Sequence, residues 1–338
     1  MNDDEVTSLE TSQDSTPIIS FIIPAYNEEG LLPVVLSAVR NNVHKIPYEM
    51  LVIDNGSTDK TVSVARNHGA RILEDPNKTI AGLRNLGVKH STGSILIFLD
   101  ADVIITEAWG QNISQTILEI TENRRVITGS RYGVRNNPSW IERCWFKPMT
   151  QEHANYINGG HLIVERHIFD EVRGFNDSLV TGEDWDFCMR AKKKGIRIVN
   201  NSDLYVVHEG YPKTLRQFIR REKWHGTQDF RSFNSFRSSK PAILATLYWC
   251  IGLFCLALSI YSKSMIYIFV GVALMSGICL VSTFKKRTQY ELDLLSYFAL
   301  FHVYFFARGL TLFEKLSNKC WSLLDRRKRR KKSFNEYV

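Results

Sequence analysis

Short apolar runs that do not alternate with polar residues most constrain what this chain can fold into. Ile18–Ile23 (IISFII) and Ser94–Leu99 (SILIFL) are almost wholly apolar, and Tyr48–Asp54 (YEMLVID) is largely so. A strand covered on one face alternates, so an unbroken apolar run needs cover on both faces. The first run is predicted to stop at Pro24, which has no amide to give a ladder. Between these runs, apolar residues fall at helical spacing in Leu31–Val39, Thr61–His68 and Ala81–Lys89, with a short strand at Arg71–Leu73. The series predicts an α/β fold with a mostly parallel central sheet and helices on both faces.

The chain of 338 residues suffices for one such domain over 18–240 and a smaller appendage. Residues 1–17 are polar and acidic, without the positive start and apolar core of a signal peptide, and are expected to be a disordered leader. Glu183–Lys194 is predicted to be a helix, beginning in acid and ending in lysines as the helix dipole favours.

At Pro241 the composition changes. Pro241–Ser262 and Ser264–Phe284 carry no charge and are split by Lys263 alone. Each is about 21 residues, enough to cross roughly 30 Å of hydrocarbon, so 241–284 is expected to be a two-helix transmembrane hairpin rather than a pair of buried core helices. Leu294–Ala307, bounded by Asp293 and Arg308, is short for a span and predicts an interfacial helix within 285–338. The net charge of +8 owes much to Arg326–Lys332 (RRKRRKK). Apolar segments precede this run and no aromatics interleave it, so anionic membrane lipids, not nucleic acid, are its expected partner. The six cysteines contain no CxxC pair, so neither a zinc site nor a disulfide framework is indicated, and a reducing setting fits.

The residues with chemistry stand where strands and helices end. Asp100-Ala101-Asp102 follows a buried strand, the place where parallel sheets present ligand-binding side chains. Two carboxylates so spaced can share Mg²⁺ or Mn²⁺ together with diphosphate oxygens, although Asp-x-Asp is also common in solvated loops. Asp54 ends another strand and can accept hydrogen bonds from a base or ribose, or else simply form the turn before Asn55-Gly56. Glu183-Asp184 opens a helix beside Trp185 and Phe187; it is either a helix cap or a carboxylate of raised pKa able to act as a base.

Four segments in order carry a family resemblance: FIIPAYNEEGLLPVVLSAV (Phe21–Val39), LVIDNGSTDKT (Leu51–Thr61), AGLRNLGVKHSTGSILIFLDAD (Ala81–Asp102) and TGEDWDFCMRAKKKG (Thr181–Gly195). Over roughly 18–230 the chain resembles the family-2 glycosyltransferases, inverting enzymes of the GT-A fold. The resemblance implies a nucleotide-sugar pocket lined by Pro24, Ala25, Tyr26 and Glu28, with Asp54 at the base, Arg84 at the donor and Asp100 at ribose or phosphate. It implies Asp102 as principal ligand of a divalent cation (Mn²⁺ or Mg²⁺), and Asp184 of the catalytic pair Glu183-Asp184 as the base. Asn158-Gly159-Gly160 matches the loop facing sugar and acceptor, and Gly159 is carried over as a donor-site residue. His208, after the strand-like Leu204–Val207, is a candidate to complete the metal shell, with a surface or core histidine as the alternative.

An ionised polyprenyl phosphate needs no base, whereas a sugar hydroxyl does. The acidic pair therefore points to a hydroxyl of a glycan or lipid-linked saccharide, with a polyprenyl-phosphate acceptor or a non-catalytic membrane adaptor as alternatives. Processive synthases carry Gln-x-x-Arg-Trp; here Gln217-Phe218-Ile219-Arg220-Arg221 leaves Trp224 displaced, which predicts one sugar per encounter. UDP is the nucleotide the resemblance implies. A cytoplasmic donor places 1–240 on the inner side of a cell membrane, with Lys285-Lys286-Arg287 also inside.

Overall fold

A computed structural model describes residues 18–44, 46–123, 125–147, 156–286 and 294–335. The predicted leader and Arg287 lie outside these residues, and of Arg326–Lys332 only the helical backbone is described. The chain forms two compact units.

The first unit takes residues 18–132, 156–178 and 183–209. Its main sheet has β1 (Ile19–Ala25), β2 (Tyr48–Asp54), β3 (Arg71–Glu74), β4 (Ile95–Leu99), β6 (Val126–Gly129), β8 (His161–Glu165) and β9 (Arg197–Asn200), in the order β3-β2-β1-β4-β8-β6-β9. Only β8 runs against its neighbours, β4 and β6; the other pairs are parallel. A two-residue strand, β7 (Tyr132–Gly133), follows β6, and a small sheet pairs β5 (Val103–Ile105) antiparallel with β10 (Val206–His208).

The unbroken apolar strands feed two cores, one per face. Phe21, Ile23, Ile97 and Leu99 pack with α1 (Leu32–Asn42), with Ala65 of α2 (Thr61–Asn67) and with Trp109 and Ile113 of α4 (Glu107–Asn123). Ile22, Leu96 and Phe98 pack with α3 (Ile80–His90), α5 (Arg166–Val172) and α6 (Glu183–Lys193). The α/β fold with a mostly parallel sheet stands as read. Pro24 does not stop the first strand, however: β1 continues to Ala25, with Pro24 opposite Ile53. Its ladder to β4 ends at Ile22, so the missing amide of Pro24 costs no bond on that side.

The second unit takes residues 133–147, 179–182, 210–286 and 294–335. It holds a π-helical turn (Glu142–Phe146), α7 (Leu215–Asp229), α8 (Phe233–Ser238), α9 (Lys240–Ser262), α10 (Ile266–Lys285) and α11 (Leu294–Asn335). By length and composition three stretches can cross a membrane: Lys240–Ser262, Ile266–Lys285 and Leu294–Lys315. Between α9 and α10, small residues allow close approach; a Cβ on Gly271 would lie 2.8 Å from Cβ of Cys255. The third apolar helix is longer than its uncharged core of Leu294–Ala307. It runs through Arg308, whose guanidinium is paired with Glu222 at 3.0 and 3.1 Å and with Asp229, both on α7.

In the first unit, α3 lies so close to the sheet at Gly87 that a Cβ there would stand 2.5 Å from Cγ2 of Ile22 and 2.8 Å from Cδ1 of Ile53. Gly87→Val is expected to lower stability by about 1–3 kcal/mol through overpacking. Denaturant unfolding checks it, and an unchanged midpoint refutes the close contact.

Candidate active site

The loop after β1 is held by the loop after β2, and this fixes the mouth of a cleft. The Glu28 amide donates to Oγ1 of Thr61 at 2.7 Å, the Thr58 amide to Oδ1 of Asn27 at 2.8 Å, and the Lys60 amide to Oε2 of Glu29 at 3.0 Å. Pro24, Ala25, Tyr26 and Glu28 thereby line a cleft of about 260 Å³ with Asp100, Asp102 and His208. That volume lies just below the usual range for small-molecule sites.

Asp54 is not brought to this wall. It is buried, and its own turn occupies both its oxygens: the Gly56 and Ser57 amides donate to Oδ2 at 2.9 and 2.8 Å, and the Ser57 hydroxyl donates to Oδ1 at 2.5 Å. The neighbouring Asn55 lines the cleft instead, and its Oδ1 is buried with no hydrogen-bond partner among the described residues. The sequence reading did not single out Asn55 as a ligand group, since Asn-Gly reads first as turn chemistry.

His208 reaches Asp102 through backbone pairing. β10 places His208 opposite Val103, and the Glu209 amide donates to the Asp102 carbonyl at 2.9 Å. Nε2 of His208 then stands 3.7 Å from Oδ2 of Asp102. Tyr132, which the sequence reading passed over, has its ring centroid 5.0 Å from that of His208, and its hydroxyl accepts from the Gly160 amide at 3.0 Å. No periodicity or motif marks this tyrosine.

Among the described residues, no three His, Cys, Asp or Glu side chains gather closely enough to hold a metal ion by themselves. Asp102 offers a hard oxygen of the kind Mn²⁺ or Mg²⁺ takes, and the imidazole of His208 stands beside it as a second donor. The electrostatics agree with this fit. Burial, followed by the charges of Asp102, Asp100 and Asp59, pushes Glu28 up to about 7. Burial also raises Asp102, with His208 opposing and Asp100 adding to the rise. Acids crowded in this way are relieved by a cation. Asp100 does not share that position evenly with Asp102, because its Oδ1 is bound to Nη2 of Arg84 at 2.7 Å.

Arg84, on α3, is almost wholly buried and bridges two acids: its Nη1 donates to Oε1 of Glu183 at 2.6 Å. Burial works against its charge, but Asp100 and Glu183 more than offset this and hold the guanidinium ionised. The bridge requires bare backbone beside it. A Cβ on Gly159 would lie 2.6 Å from Nη1 of Arg84, and one on Gly160 would lie 2.0 Å from Oδ2 of Asp100.

Glu183 and Asp184 therefore differ in their partners. Glu183 is buried against Arg84, whereas Asp184 accepts from the Gly159 amide at 3.1 Å and the Trp185 amide at 2.7 Å. Burial, then the charge of Glu183, raises Asp184 to about 6, with the Gly159 amide opposing. Arg84→Met leaves two acids without their cation and is expected to cost about 3–5 kcal/mol of stability. Denaturant unfolding at neutral pH measures it, and a loss below about 1 kcal/mol would show that the bridge contributes little net stability.

Comparison with known proteins identifies the family. Residues 20–169 match the model of Glycosyl transferase family 2, and residues 95–282 match that of Glycosyl transferase family group 2. The chain is similar to Glycosyltransferase AglE of Haloferax volcanii, 28% identical over 70% of this chain and 80% of that one. It is also similar to the amylovoran biosynthesis glycosyltransferase AmsB of Erwinia amylovora, 27% identical over 53% of this chain and 65% of that one, just under two thirds of AmsB. In fold it resembles the mannosyltransferase PcManGT of Pyrobaculum calidifontis, solved with GDP-Man and Mn²⁺, at a TM-score of 0.55 over 89% of each chain and 18% identity. With its family-2 matches spanning both the strand-end acids and the first apolar helices, this chain belongs to glycosyltransferase family 2 and is a glycosyltransferase with a GT-A-like α/β domain.

Proposed function

We propose that this glycosyltransferase moves a single sugar from a nucleotide-sugar donor to a hydroxyl of a glycan or lipid-linked saccharide, inverting the anomeric carbon, with Asp184 as the base. The observation that carries the reading is the division of labour in the acidic pair. Glu183 is neutralised by Arg84, while Asp184 is raised to about 6 and anchored to the Gly159 amide. A carboxylate of that pKa is ionised at neutral pH yet more basic than an ordinary aspartate, as proton removal from a hydroxyl requires. A polyprenyl phosphate would make no use of it.

The donor would enter the cleft with its nucleoside against Pro24, Ala25, Tyr26 and Glu28. The Oδ1 of Asn55, unpartnered among the described residues, suits a base N–H, with Asp54 setting the turn that presents it. UDP is the proposed nucleotide. Asp102 and His208 would hold a divalent cation, which when bound neutralises charge on a departing diphosphate. Asp100, steered by Arg84, would bind ribose or phosphate beside it. The Asp184 carboxylate would take the acceptor proton as the acceptor oxygen attacks the anomeric carbon opposite the leaving diphosphate, whose bond to that carbon breaks. With α9 and α10 crossing the inner membrane, the enzyme is tethered at the cytoplasmic face, where such donors are made.

Asp184→Asn is expected to keep nucleotide-sugar binding and lose about 10²–10⁴-fold in transfer. Because Asp184 must be deprotonated, kcat/KM of the native enzyme should fall as pH drops through about 6. Transfer at the native rate by the Asn variant would reduce Asp184 to a helix cap.

For the cation, a panel of UDP-, GDP- and dTDP-sugars with Mn²⁺, scored by nucleotide release, identifies the donor. Asp102→Asn and EDTA should each remove most of that release, since an amide is a weaker, neutral ligand. Full activity in EDTA removes the metal from the reading.

A further inference from the structure

Beside the turn that holds Asp184 lies a histidine with no part in the proposed chemistry. His161 is wholly buried at the start of β8, and burial lowers its ring to about 3, with the Ser130 amide opposing, so the ring is neutral at working pH. It ties two elements together. The indole N–H of Trp109, on α4, donates to Nε2 at 2.8 Å. Nδ1 lies 3.0 Å from Oγ of Ser130, the residue after β6, and 2.9 Å from the Ser130 amide. A neutral imidazole has one N–H and one bare nitrogen. The Ser130 hydroxyl can accept a ring proton and the indole cannot, so the proton belongs on Nδ1 and the bare Nε2 takes the indole. The Ser130 amide is then left facing a proton. A buried amide without its acceptor costs stability, and packing alone gives no reason to keep it.

The backbone of His161 closes the turn that serves the site. Its amide donates to the Asn158 carbonyl at 3.0 Å, and the ladder between β8 and β4 begins at His161, opposite Leu99. Asn158, Gly159 and Gly160 stand beyond that last rung, joined to the end of β4 by the Asp100 amide, which donates to the Gly160 carbonyl at 3.1 Å. Two successive glycines have the freest backbone a turn can have, so this one lies where its end is anchored. Its amides are the ones in use: Gly160 donates to the Tyr132 hydroxyl at 3.0 Å, and Gly159 to Asp184 at 3.1 Å. The second bond is near the long end of the hydrogen-bond range, where a small shift of the turn breaks it. The other groups facing Asp184 are the Trp185 amide, Glu183 and Arg84, with the Cys188 thiol one turn along α6.

We propose that His161 is a positioning residue for sugar transfer: held by Trp109 and Ser130, its ring anchors the Asn158–Gly160 turn and so keeps the Gly159 amide on the Asp184 carboxylate. This rests on the reading of Asp184 as the base.

The test uses the full chain and nucleotide release from the donor sugar, with water in place of the acceptor hydroxyl, followed against pH. His161→Phe keeps a buried ring and removes both nitrogens. The Gly159 amide holds the Asp184 carboxyl down, so a loosened turn lets it rise, and the acid limb of kcat/KM should move from about 6 to higher pH. At neutral pH kcat should fall about tenfold with the donor KM unchanged, because the base is displaced and the donor cleft is not. His161→Gln, whose side-chain oxygen can accept from the indole, should recover most of the loss. Trp109→Phe removes only the indole donor and should move the limb the same way by less; it carries the test if His161→Phe does not fold, as thermal unfolding will show. A limb that stays in place in the folded variants, with Asp184→Asn inactive, overturns the role of His161 and leaves the base standing. Native release by Asp184→Asn sinks the base reading, and this proposal with it.

Discussion

The catalytic unit depends on one buried cation. Arg84 is set by α3, receives Asp100 from the end of β4 and Glu183 from the start of α6, and so joins three elements at the edge of the sheet. A buried guanidinium is tolerated only where its charge is met, and here each terminal nitrogen has its own carboxylate. The cost falls on the local backbone, where Gly159 and Gly160 leave no room for a side chain. The same two glycines hold neighbouring side chains, because the Gly159 amide donates to Asp184 and the Gly160 amide to Tyr132.

This arrangement separates charge by role. Asp100 and Glu183 are compensated by Arg84, leaving Asp102 with His208 on one side and Asp184 with two amides on the other. Two adjacent acids at a helix start, alike in sequence, thus acquire different surroundings: Glu183 is paired with a guanidinium, whereas Asp184 is bound by backbone amides and raised by burial.

The same device recurs in the helical unit with a different outcome. Arg308 meets Glu222 and Asp229, and the pairing lets an apolar helix continue through a charge that would otherwise end it. In the first unit the buried ion cluster orders a site; in the second it joins a polar helix to an apolar one.

The sequence by itself determined the layered α/β fold, because unbroken apolar strands such as SILIFL need cover on both faces and the helical segments between them supply it. It also placed the acids of Asp100-Ala101-Asp102 and the start of α6 at element ends, since those positions follow from local periodicity and helix charge order. Tertiary structure decided the rest. Whether Asp54 faces a ligand or its own turn, which acid of Glu183-Asp184 stays free, and that Asn55 and Tyr132 join the site depend on neighbours far away in the chain. Arg84 lies 99 residues from Glu183, and Arg308 lies 86 from Glu222. A local reading sees Arg308 as the end of an apolar segment; only the fold supplies the carboxylates that neutralise it, because charge compensation depends on distance in space and not along the sequence.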